Sequence, residues 1–174
     1  MATDRKFAGF GSSGSPTFRM TGIPPAGFCL SSFLLITDRS GRVLMGKLNP
    51  EYAWDHIGAL DDERKRRFSS RWMLPSSHLL YGESPAEAAR RILREQLGLE
   101  GIELSGPADF SELYVANESI GDRHWDLEFI FRGRYDGTAS HPAWKELAFV
   151  DPNAPRDEFA RNHQDILRLA GVRN

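Results

Sequence analysis

The chain predicts an α/β (α+β) fold, a mixed sheet covered by helices, on three observations. Apolar, strand-like runs stand on both sides of one well-capped amphipathic helix, and a second helical pattern closes the chain. The length, 174 residues, suits one well-buried core better than two. No repeat with a period of 20 to 50 residues divides it. The expected organisation is therefore a lead-in over residues 1–26 and one domain over 27–174, with an insertion at about 48–70.

Each element has its own local signal. Residues 8–16 are rich in Gly and Ser and read as a flexible tail. The run Phe28 to Ile36 is apolar enough for a strand covered on both faces; Asp38-Arg39-Ser40-Gly41 supplies a turn, and Val43 to Lys47 returns as the hairpin partner. Residues 48–70 lack clear periodicity and carry Tyr52, Trp54 and His56, then the charge run Asp61 to Arg67, which is expected as a solvated helical turn in preference to a phosphate or RNA contact. The aromatics read equally as a stacking surface for a base and as anchors of the loop.

Trp72 to Leu99 then reads as strand, polar loop, capped helix and glycine stop. Ser84 is a good N-cap with Pro85 at the first helical position, Glu87 completes a capping box, and Gly98 ends the helix. Beyond it, Ile102 to Leu104 and Phe110 to Val115 predict two short strands or one bent one. In Trp125 to Tyr135, strict alternation puts Trp125, Leu127, Phe129 and Phe131 on one face and Asp126, Glu128, Ile130 and Arg132 on the other. Trp144 to Val150 is a further strand, and Asp157 to Leu169 is expected as an amphipathic terminal helix closed by Gly171.

Composition narrows the function. With 22 basic and 24 acidic side chains there is no global field to draw in nucleic acid or an anionic membrane. The single cysteine, Cys29, excludes an intramolecular disulfide and reads as a buried thiol. No apolar run approaches the roughly 18 residues of a membrane helix, and the N-terminus lacks a signal core, so a cytoplasmic protein without membrane contact is expected. Ser-His-Asp order, paired CxxC motifs and a Walker loop are all absent, and His56, His124, His141 and His163 show no metal-ligand spacing.

The segment over residues 77–99 resembles the box of the Nudix hydrolases, G-x5-E-x7-R-E-U-x-E-E-x-G-U with U a bulky aliphatic residue. Glu83 takes the first glutamate, Arg91 the arginine, Leu93 the bulky site and Gly98-Leu99 the exit; Trp144 to Leu147 and the closing helix resemble the family's C-terminal pattern, so the likeness spans roughly residues 27–170. It implies an α/β/α sandwich, a nucleotide-type small-molecule partner, homodimerisation as a family habit, and pyrophosphate cleavage with Mg²⁺ or Mn²⁺ held by several carboxylates on one helix face. RNA is a less favoured partner.

Several of the family's positions are changed. Ile92 and Gln96 replace two of the three core glutamates, and Ser76-Ser77 stand where the family has Gly-Gly, whose carbonyl often binds metal. In this register Glu95 is the candidate catalytic carboxylate and metal ligand, with Gln96 and Glu128 as further oxygen donors and Glu118 and Asp122 as alternative distal acids. Tyr52, Trp54, His78 and Arg91 are candidate substrate contacts, while Gly82, Glu83, Arg91 and Gly98 are expected to hold the box structurally. Two functions stand: a divergent Mg²⁺-dependent hydrolase of nucleoside diphosphate derivatives, and an inactive domain that binds or senses a nucleotide or RNA.

Overall fold

Residues 9–10, 28–116 and 123–174 are described by a computed structural model, with side chains over 29–107 and 126–174. The lead-in, apart from residues 9–10, and the candidate acids Glu118 and Asp122 lie outside the described residues.

Seven strands form one mixed sheet among the described residues: β1 (Gly9–Phe10), β2 (Phe28–Thr37), β3 (Val43–Leu48), β4 (Ser76–His78), β5 (Ser105–Ala116), β6 (Arg123–Arg134) and β7 (Trp144–Val150). The main path runs β5-β6-β2-β3-β7, with β1 and β4 also pairing β2. Strand β2 is its hub. It runs parallel to β6, with Cys29 opposite Asp126 and Ser31 opposite Glu128, and antiparallel to β4, with Ser31 opposite His78. Both sheet faces are covered, which is why β2 reads as an unbroken apolar run. On one face Leu34, Ile36, Leu44 and Phe131 pack against Ala89, Ile92, Leu93 and Leu97 of helix α3 (Pro85–Leu97); on the other Phe33, Leu35, Val43, Met45 and Ile130 pack against Ile166, Leu167 and Ala170. This is an α/β/α layering, as the sequence predicts.

Helix α3 starts and stops as its caps dictate. The Ser84 hydroxyl accepts from the Glu87 N–H while the Glu87 carboxylate accepts from the Ser84 N–H and from the Ser84 hydroxyl, and the two bonds to the carboxylate hold the Glu87 pKa below the usual carboxylate range. Gly98 takes the left-handed conformation, φ 63°, and its N–H returns to the Arg94 carbonyl.

The insertion folds onto the end of the sheet as two short helices, α1 (Trp54–Ile57) and α2 (Asp62–Phe68), the latter capped by Asp61 on the Arg64 N–H. The charge run is only partly solvated. Lys65 is buried, donating to the Tyr52 carbonyl and ion-paired to Asp62 at 2.6 Å, which ties α2 to the preceding loop. A third cluster joins Leu48, Trp54, Leu60, Met73, Trp144 and Ala160 beneath it.

Elsewhere the chain departs from the expected pattern. Residues 102–104 are not a strand; pairing begins at Ser105 and runs to Ala116 with an irregularity between Ser105 and Asp109. The terminal helix is shorter than its apolar period suggests, a 3₁₀ turn over Arg156–Glu158 and then α4 (His163–Leu169). The reason is a competing pairing: Trp72 donates to the Glu158 carbonyl and accepts from the Ala160 N–H, drawing 158–160 out of a helix, after which Arg161 and Asn162 turn left-handed at φ 53° and 58°. No helix among the described residues is long and apolar enough to cross a membrane.

Gly46 is the tightest glycine of the sheet, because a Cβ there would sit 2.1 Å from Trp144 Cε3. Gly46→Ala is therefore expected to lower unfolding free energy by about 2 kcal/mol through overpacking. Gly41 is the control, with open space around it and only its φ of +78° to penalise alanine. Urea unfolding should show a larger loss for Gly46→Ala than for Gly41→Ala at unchanged m-value.

Candidate functional site

The segment between β4 and α3 is held by one guanidinium. Arg91, on the sheet-facing side of α3, donates to both oxygens of Glu83 at 2.7 and 2.8 Å, to the Ser77 hydroxyl at 3.3 Å and to the His78 carbonyl at 2.9 Å. Glu83 in turn accepts the Leu80 N–H at 2.8 Å. Both side chains are almost out of water, 5% and 12% exposed, so the pair fixes where residues 77–83 run. Gly82, at φ 82°, supplies the left-handed turn that lets Glu83 fold back.

One turn further along α3, the positions aligned with core glutamates are put to other use. Ile92 is fully buried in the apolar cluster against Leu34, Ile36 and Phe131. Gln96 is fully buried too; its Nε2 donates to the carbonyls of Ser76 at 2.8 Å and Ile57 at 3.0 Å, and its Oε1 accepts the Ser76 N–H at 3.2 Å. Its backbone carbonyl accepts from Trp144 Nε1 at 2.7 Å. Glu95 is half-buried beside Arg94.

A small cleft opens on the α4 face of the sheet. It is lined by Ser31 and Phe33 of β2, Asp126 of β6 and residues 76–78 of β4, together with Gly58, Ala59 and Leu60, Arg64 of α2, and Arg161. Ala59 and Arg161 both hold left-handed backbone, φ 55° and 53°, a costly conformation for non-glycine residues that persists where surroundings impose it. Burial pulls the Arg161 pKa below its ordinary value, opposed chiefly by Asp126. Burial, reinforced by the Asp126 charge, pushes the Cys29 thiol up to about 11.

The structure separates the candidates. His78 lines the cleft, and Arg91 holds that residue's backbone from below. Glu128 is buried on the cleft-side face, because Phe129 and Phe131, which alternate with it, pack on the α3 side. Glu95 and Gln96 belong to α3, across the sheet from it. Trp54, read as a possible stacking surface, is 1% exposed; its indole meets Trp144 edge-on at 4.7 Å and donates to the Ala143 carbonyl, so it anchors the insertion. Tyr52 is half-buried against His141 and is not among the cleft residues. Sequence reasoning missed Arg161 entirely and took Arg64 for a solvated charge; Asp126 was visible as a polar residue of a strand, but its burial was not.

The NUDIX domain family matches residues 29–170. No curated protein matches. Among solved structures, the E. coli dihydroneopterin triphosphate pyrophosphohydrolase aligns with TM-score 0.59 at 16% identity, over 83% of this chain and 98% of that one. A C. elegans Ap4A hydrolase in a binary complex gives 0.56 at 14%, over 83% and 96%; a MutT protein from Methanosarcina mazei Go1 gives 0.55 at 14%, over 82% and 91%. At these identities the likeness is one of fold.

Two expectations follow from the buried groups. Arg91→Ala strands Glu83 without its partner and should cost about 3 kcal/mol of stability, whereas Arg90→Ala, on the exposed side of α3, should cost under about 0.5 kcal/mol. His163 is 1% exposed, accepts the Leu74 N–H at Nδ1 and is held neutral, its pKa well below 6.5 through burial and the Arg161 charge. Unfolding frees it to bind a proton below about pH 6.5, so its contribution is intact above that pH and is lost on acidification, at up to about 1.4 kcal/mol per pH unit. Urea unfolding between pH 7 and pH 5 should show a shallower acid slope in His163→Gln than in the wild type; equal slopes would exclude His163 as the cause.

Proposed function

Because this chain belongs to the NUDIX family, we propose that it is a nucleotide-binding Nudix domain whose box helix serves structure, and that it binds its ligand without the family's magnesium chemistry. The observation that carries this reading is the Gln96 amide. In the family pattern a carboxylate at this position and a backbone carbonyl of the preceding loop share a divalent cation. Here the Gln96 Nε2 itself donates to the Ser76 carbonyl. A neutral donor thus stands between groups that a cation would otherwise bridge, and Ile92, sealed in the core, offers no oxygen. Glu95 alone is a poor match to a hard dication, which prefers several anionic oxygens.

The cleft supports the binding half of the proposal. Arg64 and Arg161 both line it, a pair of cations suited to a phosphate-bearing ligand, and Ser31 and Ser76 add hydroxyls. Side-chain identity on a shared scaffold, rather than the scaffold, decides between hydrolysis and binding.

The test is a panel of nucleoside diphosphate sugars, dinucleotide polyphosphates and nucleoside triphosphates, assayed for turnover with Mg²⁺ or Mn²⁺ and for binding by calorimetry with chelator. Binding that survives chelator, without product, is expected. Metal-dependent turnover lost in Glu95→Ala would overturn the reading in favour of a hydrolase. Arg161→Gly, which keeps the left-handed backbone and removes only the cation, should weaken nucleotide binding at least tenfold.

The amide argument has its own check. Gln96→Glu would turn carboxylate oxygens toward the carbonyls of Ser76 and Ile57, costing about 2 kcal/mol in the absence of metal. Mn²⁺ should restore much of that loss in a thermal melt of Gln96→Glu and leave the wild-type melt unmoved. A variant melt indifferent to Mn²⁺ would show that residue 96 does not stand at a cation position.

A further inference from the structure

We propose that Cys29, His78 and Asp126 form a site for a borderline-soft divalent cation of the Zn²⁺ class at the edge of the cleft, which His78 and Asp126 line, on the opposite sheet face from the box helix. The ligand atoms of these three residues, thiol, imidazole and carboxylate, lie within 4.8 Å of one another. Three neighbouring strands bring them together. Cys29 of β2 stands directly opposite Asp126 of β6, and His78 of β4 is opposite Ser31, two residues along β2 and on the same face as Cys29. Tetrahedral ligands of zinc are about 3.5 Å apart, so closure from 4.8 Å requires side-chain rotation and leaves the sheet in place.

The donor set selects the ion. One thiolate, one imidazole and one carboxylate suit Zn²⁺ or Co²⁺ and are a poor choice for Mg²⁺, which takes oxygen ligands. The support beneath the donors is already built: the His78 carbonyl is held by Arg91, and Cys29 and Asp126 sit in the continuous β2–β6 ladder. Three protein ligands leave a fourth position open toward the cleft, where Arg64 and Arg161 favour an anionic occupant. Arg161 also lowers the affinity for the cation, since its charge acts on Asp126 and Cys29, so this site should bind more weakly than a closed four-ligand one. The inference does not depend on the nucleotide reading.

Cobalt makes the test specific, because Cys29 is the only cysteine and any thiolate-to-cobalt charge-transfer band must come from it. The reduced, chelator-stripped protein is titrated with Co²⁺ and followed in the near-ultraviolet and visible. The expected result is a charge-transfer band with tetrahedral visible bands, saturating at one ion per chain, bleached by Zn²⁺ and unaffected by excess Mg²⁺. Cys29→Ser should abolish the near-ultraviolet band, and His78→Gln and Asp126→Asn, with wild-type melting curves as the folding check, should each weaken binding at least tenfold. Absence of the band at saturating Co²⁺ would overturn the proposal. So would unchanged affinity in both folded His78→Gln and Asp126→Asn, which would leave the cysteine binding alone.

Discussion

The fold of this chain depends on the Arg91 fork. Four hydrogen bonds from one buried guanidinium join α3 to Glu83, Ser77 and the His78 carbonyl, and thereby tie the helix to β4 and through it to the hub strand β2. Taking the charge out of water is costly, and only a bidentate carboxylate with the remaining donors satisfied offsets it. The fork fixes the course of this loop, in which serines stand where the family has paired glycines. The same fork holds the backbone of His78, so a structural ion pair on one face of the sheet helps place a side chain that lines the cleft on the other.

That transmission through the sheet explains how the polar chemistry is distributed. On α3 the positions nearest the sheet are Ile92 and Gln96, one in the apolar cluster and one bonded to backbone. Across the sheet, Asp126 and Glu128 are buried, with the Arg161 charge acting on both. A carboxylate in such surroundings needs a cation close by, whether guanidinium or metal, and the left-handed backbone at Arg161 is consistent with a residue whose position is imposed by what its side chain must meet.

How much of this was legible in the sequence depends on the range over which each feature is decided. The α3 caps were readable because Ser84, Pro85, Glu87 and Gly98 act within four residues of each other. The faces of β6 were readable from a period of two, though not that both would be buried: Asp126 to Arg132 look solvent-facing until the terminal segment is laid over them. The terminal helix was overextended because its apolar period says nothing of Trp72, whose backbone captures residues 158–160 from nearly ninety positions away. The cleft was hidden for the same reason. Arg64 and Arg161 are 97 residues apart in sequence, and their meeting rests on tertiary packing alone.

The family pattern and the site therefore carry different information. The box is a local motif whose capping, ion pair and glycine exit specify a helix on a sheet, and all of these are physical requirements of the fold. Metal-binding carboxylates are not such a requirement; at the same positions Ile92 adds core area and Gln96 adds backbone hydrogen bonds, both of which stabilise the native state more than unpaired buried carboxylates would. The scaffold at these positions is thus satisfied by its own core packing and backbone hydrogen bonds. The side chains around the cleft, where charge, strained backbone and mixed donor atoms meet, are set by tertiary packing and are under no such local constraint.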